Sequence, residues 1–379
     1  MNRNGDSHMK SFGLWYLLNS LEMDKHDPNE SAENRESEKT VPKFELHVNF
    51  WSLEEYKHMS SKKVPCLDIG IMIKNYALIK EMTFYCPFFL EESDYEDLAE
   101  KMSTKNNANI IFNEECTIIN GNYTTVKTEK EELLIFPLNQ AIKVFEFCNN
   151  EERATYFKFR FQDFQKYVNT DARNSELQKI STLYVRFRIR GNALKRNIYF
   201  DSEPLNKSFE SAFSGTRMID FKINEKRNIQ DSVRARIALV QAKLASFDNV
   251  HFLAMEPSAH EVKTFDNQQM SCRELEENLW DDYLDEKLDF SKGHILAYHW
   301  KQKEKKASYS CLVKINYSKA RPVTIFSYAL IVVALGILSS VVVTGANVLI
   351  PNDFNVILLC GGIGAGLLIV GILIGNRLK

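Results

Sequence analysis

Two short stretches of the chain carry a cation at every second residue. Lys158 and Arg160 alternate with Phe157, Phe159 and Phe161, while Arg186, Arg188 and Arg190 alternate with Leu183, Val185, Phe187 and Ile189. A period of two is the signature of a β-strand with one apolar face. If the two strands are neighbours, all five cations share a sheet face. Arginine presents a planar fork of N–H donors that matches carboxylate and phosphate oxygens. The chemistry implied is therefore anion capture, from a nucleotide, a phospholipid head group or an acidic protein surface. The alternative is a solvated face whose cations pair with Asp or Glu on adjacent strands.

Other chemistries find less support. Neither GxSxG nor GxxxxGK[ST] occurs, and His260-Glu261 has no second histidine at the spacing of a helical zinc pair. Seven cysteines, an odd number, lie scattered without a CxxC pair, so neither disulfides nor a structural zinc site are implied. Asp220-Phe221-Lys222 matches the acid-x-Lys element of metal-dependent nucleases, but outward residues on an amphipathic strand give the same pattern. The acids between Glu274 and Glu286 spread around a helix rather than converging. No catalytic residue, cofactor or metal ligand is assigned from these patterns. With 48 basic against 50 acidic residues, nucleic acid is not indicated as a partner.

The elements that must position the cations are mostly strands. Phe44 to Phe50 and Leu67 to Ile73 alternate in the same way, and further candidates lie at 82–89, 110–113, 117–120, 133–137, 142–147, 218–223, 250–255, 295–300 and 309–315. Helices are expected at 12–18, 95–102, 231–245 and 273–288. The fold class expected is α+β, predominantly antiparallel and sandwich- or barrel-like, with a mixed βαβ-like second part and a C-terminal transmembrane hairpin. The domain plan is a short amphipathic segment and polar tether over 1–43, a β-rich domain over 44–205, and an α+β domain or extension over 206–316. A basic juxtamembrane segment and the hairpin follow over 317–379.

The hairpin rests on two uncharged apolar runs, 323–346 and 354–375, each as long as the roughly 20 residues of a spanning helix. Lysines and arginines flank the pair but are absent from the connection, which places both termini on the cytoplasmic side of a bacterial inner membrane. In the second run, Gly361, Gly364, Ala365, Gly371 and Gly375 fall on one helical face. Small residues there allow close helix packing and self-association. The partners expected are thus the lipid bilayer, further copies of the chain, and an anionic ligand or protein. A cytoplasmic sensor joined to a two-span hairpin is similar in architecture to bacterial membrane effectors of antiphage defence. That likeness implies a binding or sensing protein whose assembled hairpins permeabilise the membrane. The alternatives are a passive scaffold that holds a partner at the membrane and a membrane-associated enzyme.

Overall fold

The computed structural model describes residues 10–19, 41–52, 65–138, 143–149, 152–161, 164, 168, 173–202, 214–265, 270–285, 287, 288, 290, 293–318, 322–347 and 361–370. The strands, in chain order, are β1 Gly13–Leu18, β2 Lys43–Trp51, β3 Cys66–Lys74, β4 Ile79–Cys86, β5 Tyr95–Asp97, β6 Thr117–Ile119, β7 Thr125–Lys127, β8 Glu132–Ile135, β9 Lys143–Asn149 and β10 Glu152–Arg160. They continue with β11 Thr182–Arg190, β12 Tyr199–Ser202, β13 Ser214–Ile223, β14 Lys243–Leu244, β15 Phe247–Pro257, β16 Glu261–Thr264, β17 Met270–Glu274, β18 Ile295–Gln302 and β19 Tyr309–Ser318. The helices are α1 Lys105–Phe112, α2 Asn174–Leu177, α3 Asn192–Asn197, α4 Asp231–Leu239, α5 Asp281–Leu284 and α6 Pro322–Asn347.

Two sheets face each other across an aromatic core. One has five strands in the order β14-β1-β4-β10-β9. The other has ten: β17-β18-β15-β2-β3-β11-β8-β7-β6, with β5 also paired to β11. Period-two alternation turns alternate side chains inward. In the large sheet Val48, Ile69 and Phe187 lie side by side in register, and Phe187 meets Phe84 and Phe157 of the small sheet at ring separations of 5.2 Å each. β12, β13, β19 and β16 form a four-stranded sheet.

The outer faces are covered as well. α4 lays Val233 and Ile237 on Trp15, Tyr85 and Tyr156 of the small sheet. On the large sheet, Trp280, Tyr283 and Leu284 pack with Trp51 and Leu98, and Met102 and Ala108 pack with Met72 and Tyr184. The central strands of the large sheet are therefore buried on both sides. By backbone proximity the chain divides into two units, Met1–Phe200 with Arg217–Ile315, and Asp201–Thr216 with Asn316–Lys379.

Several expectations are corrected. The chain is mostly β-sheet with a few helices, not an α+β region carrying a membrane hairpin. Among the described residues no separate βαβ-like part forms, because β15 enters the large sheet between β2 and β18. The expected helix at 12–18 is β1: Phe12, Leu14 and Tyr16 join the central core while Trp15 faces α4. The helix at 95–102 gives way to β5, and 110–113, expected as a strand, ends α1. The helix at 231–245 stops at Leu239, and Gln241 then takes a left-handed backbone at φ 54°. Instead of a helix over 273–288 there are the last residues of β17 and the single turn α5. The polar tether over 24–43 lies outside the described residues except for its last three positions.

The membrane assignment is corrected too. The 26-residue backbone of α6 is helical, but among the described residues no helix is long and apolar enough to cross a membrane. The transmembrane hairpin and the integral inner-membrane localisation built on it are not supported. The two apolar runs do meet: a Cβ on Gly364 would lie 3.1 Å from Leu338 and 3.3 Å from Ile337. Ile325, Phe326, Val332, Val333 and Leu335 of α6 are exposed.

Phe187 sits where the two sheets touch, so Phe187→Ala is expected to cost about 3–5 kcal/mol by loss of transfer energy plus cavity formation. Equilibrium urea unfolding of the full chain, comparing midpoints at equal slope, measures it.

Candidate functional site

The outer face of the large sheet carries a polar row at its centre. Strand register places Lys301, His251, His47, Gly70 and Arg186 side by side on β18, β15, β2, β3 and β11. Gly70 is the gap in that row. A side chain there would collide with the Tyr184 hydroxyl and lie 2.9 Å from Arg186 Nη1. Without one, Tyr184 reaches across to His47 Nδ1 at 3.2 Å. A cavity of about 630 Å³ opens above the row, walled by Ile110, Ile111, Phe112, Leu253 and Trp280 and rimmed by Lys74, Lys130, Glu131, Arg273 and Lys301.

Beside the cavity lies a buried ionic network. Arg186 and Arg188 are 1% and 0% exposed. The Asp68 carboxylate opposite them accepts from Arg188 Nε at 2.5 Å, Arg188 Nη2 at 3.0 Å, the Tyr283 hydroxyl at 2.7 Å and Trp51 Nε1 at 2.9 Å. Burial alone would raise the Asp68 pKa, but the charge and hydrogen bonds of Arg188, then Arg186 and the Tyr283 hydroxyl, hold it below the usual carboxylate range. Arg186 is served by neutral groups. It donates Nε to the Tyr283 hydroxyl at 2.8 Å and Nη1 to the Tyr184 hydroxyl at 2.9 Å. With its amide oxygen turned inward, Asn49 accepts from Nη2 at 3.0 Å. Its nearest approach to Asp68 is 3.9 Å. Arg188 also lies 3.8 Å from Glu96, which pairs with Arg190, so Asp68 and Glu96 serve three arginines, and Arg186, 3.9 Å from Asp68, lines the cavity with its charge incompletely balanced.

The histidines respond to that surplus. Burial lowers the His47 pKa well below the ordinary value, and the charges of Arg186 and Lys301, with the neighbouring imidazoles, lower it further. His251 is pushed down to about 4, by burial first and then by Lys301, His299 and Lys130. His299 falls for the same reasons, burial leading and Lys301 and Arg273 following. Burial and the neighbouring cations thus disfavour protonation of all three rings. One ligand atom each from Glu45, His47 and His251 lie within 4.8 Å of one another, and His251 Nδ1 is 3.1 Å from His299 Nε2. The chemistry open to such a site is anion capture on a fixed guanidinium and metal coordination by imidazole and carboxylate.

The five cations singled out in the sequence do not share a face. β10 belongs to the small sheet and β11 to the large one, so Lys158 and Arg160 lie apart from the cavity. They reach Glu81 of β4 at 3.4 and 3.9 Å. Arg188 sits under Tyr283, its guanidinium 4.8 Å from the ring centroid, and Arg190 pairs with Glu96. Only Arg186 lines the cavity. Of the glycine face, Gly361 and Gly364 look toward Val341 and Leu338 of α6 and Ala365 is exposed, while Gly371 and Gly375 lie outside the described residues.

Two further sequence features resolve as local pairs. Lys222 Nζ is 2.9 Å from Asp220 Oδ2 on the same strand. Ser52 donates to Glu256, and His260 Nδ1 stands 3.0 Å from the other oxygen of that carboxylate. The serine thus bonds to the carboxylate. What sequence reading missed is the histidine cluster. Glu45-x-His47 is half of it and carries the period-two signal, but His251 and His299 come from strands that no local pattern joins to β2. No family model matches the chain, and no curated protein matches its sequence.

Removing the shared counter-charge by Asp68→Asn is expected to destabilise the fold by about 3–5 kcal/mol, because it leaves buried guanidiniums unpaired; chemical denaturation measures it. The Asp68 pKa is depressed, so its contribution is present above the ordinary carboxylate range and is lost as pH falls through the folded value. The histidines act at higher pH. The unfolded chain binds a proton near 6.5 that folded His251 refuses until about 4, so stability falls as pH drops between those values. Urea midpoints of metal-free protein are expected to decline over that window, and His251→Gln is expected to flatten the decline.

Proposed function

We propose that the chain is a binding or sensing protein whose large sheet takes a small organic anion into the cavity over His47 and Arg186. The observation that carries this reading is the setting of Arg186, which is buried, bonds mainly to neutral oxygens, comes no nearer than 3.9 Å to Asp68 and lines the cavity. A buried charge is costly unless it is paired, and an anion in the cavity would supply the missing partner. Lys130 and Lys301 add to the same field, as the lowered pKa of His251 registers.

The dimensions fit a small molecule. About 630 Å³ lies within the range of pockets that enclose ligands of drug size, roughly 300–1,000 Å³. The walls divide the ligand as well. Phosphate or carboxylate oxygens belong at the Arg186, Lys130 and Lys301 side, and an apolar or aromatic body belongs against Ile110, Phe112 and Trp280. Arg186 is held on three sides before any ligand arrives, so little side-chain entropy is lost on binding.

Titration calorimetry in EDTA with inorganic phosphate, a nucleoside monophosphate and a dicarboxylate tests the reading. At least one of the two organic anions is expected to bind more tightly than phosphate, with affinity that falls as salt rises. Lys130→Glu with Lys301→Glu is expected to weaken it tenfold or more, about 1.4 kcal/mol, while the unliganded melting temperature holds because both positions are exposed. Absence of binding by all three probes, or an affinity indifferent to the charge reversal, overturns it.

A further inference from the structure

We infer that Glu45, His47 and His251 form a site for one divalent transition-metal ion of the zinc class on the floor of this cavity. The inference does not depend on the anion reading, because the metal alone is the probe.

The donor set is one carboxylate and two imidazoles, each offering one atom, all within 4.8 Å of one another. Tetrahedral zinc with bonds of about 2.0–2.1 Å needs donors about 3.3 Å apart, so modest side-chain rotation closes the triad. The three residues sit on adjacent strands: Glu45 and His47 share one face of β2, and His251 is the register partner of His47 on β15. The frame is thus as rigid as the sheet.

The surroundings have the form that holds ligating histidines in place. A histidine bound to metal through one nitrogen usually donates the other N–H to an acceptor that fixes its tautomer. Tyr184 is positioned to accept from His47 Nδ1 at 3.2 Å, and its hydroxyl is itself oriented by Arg186 at 2.9 Å. His299 Nε2 is positioned to accept from His251 Nδ1 at 3.1 Å, with the two rings stacked at 17°. Each ligand histidine therefore keeps Nε2 for the metal.

Charge sets the terms of binding. Lys74 lies 3.4 Å from Glu45 and must release it, and Glu131 at 2.7 Å remains to hold Lys74. Three protein ligands leave a coordination position open, as in catalytic and not in closed structural zinc sites. That position faces a cavity bordered by Arg186 and Lys301, so an oxygen of an anionic ligand can complete the sphere and offset the added positive charge. Metal and anion then strengthen each other's binding reciprocally.

The test is cobalt(II) titration of untagged, EDTA-stripped full-length protein, read by visible ligand-field absorption and by competition with zinc. A single cobalt ion per chain is expected, displaced by zinc. Its affinity is expected to drop tenfold or more in Glu45→Gln and in His251→Ala and to stay unchanged in His294→Ala, which alters a histidine outside the cavity. Glu45→Gln is isosteric, so it carries the test if His251→Ala does not fold. Absence of ligand-field bands at cobalt excess, or bands that persist unchanged in both variants, overturns the inference. Because anion binding is measured in EDTA, its failure and the failure of this site are distinguishable.

Discussion

The Asp68 carboxylate is the point on which the outer layer of the large sheet depends. Arg186 and Arg188 project from the middle of β11 into a layer closed to water, where an uncompensated charge is prohibitively costly. Asp68, the register partner of Arg188 on β3, meets that demand with both carboxylate oxygens engaged, Oδ1 by Arg188 and Oδ2 by Arg188, Trp51 and Tyr283. Once it is in place, Tyr283 must stand between the two guanidiniums, and that requirement holds the Trp280–Leu284 segment against the sheet. Buried ion pairs of this kind add little net stability over an apolar core. Their effect is to make one arrangement of the covering layer far better than its neighbours.

The same network explains why the cavity has its character. Asp68 is engaged mainly by Arg188, which also lies 3.8 Å from Glu96, and Arg186 is bonded mainly to neutral oxygens. Burial lowers the pKa of His47 and His251 first, and the charge of Arg186 at His47 and of Lys301 and Lys130 at His251 lowers it further. Gly70 allows this crowding, since any side chain there would drive Tyr184 and Arg186 off their partners. Positive field, imidazoles and an apolar wall meet on a rigid sheet floor.

Apolar runs near the C-terminus show the limit of a length-and-hydropathy argument. Their lack of charge predicts helices with close contacts, and Gly364 does bring its helix against Leu338 and Ile337. Charge-free sequence counts residues, however, whereas spanning depends on the length of continuous apolar helix. Among the described residues no helix is long and apolar enough to cross a membrane.

Local patterns carried much of the architecture. The alternations at 44–50, 67–73, 157–161 and 183–189 coincide with β2, β3, β10 and β11, because side-chain direction along a strand is set by its own backbone. They also singled out Arg186, which lines the cavity. Partnership between strands was not legible. Assuming β10 beside β11 put five cations on one face, whereas packing of their shared phenylalanines sets the two strands in opposing sheets. Short elements were misread where one covering residue decides the outcome, as with Tyr283 in α5. The sequence by itself determined which residues turn inward, which turn outward and that the outward positions of β10 and β11 are rich in cations. The tertiary structure alone decided that Asp68 meets Tyr283 across 215 positions and that His47 meets His251. Such contacts depend on strand order, which arises from the fit of whole sheet faces and not from any local period.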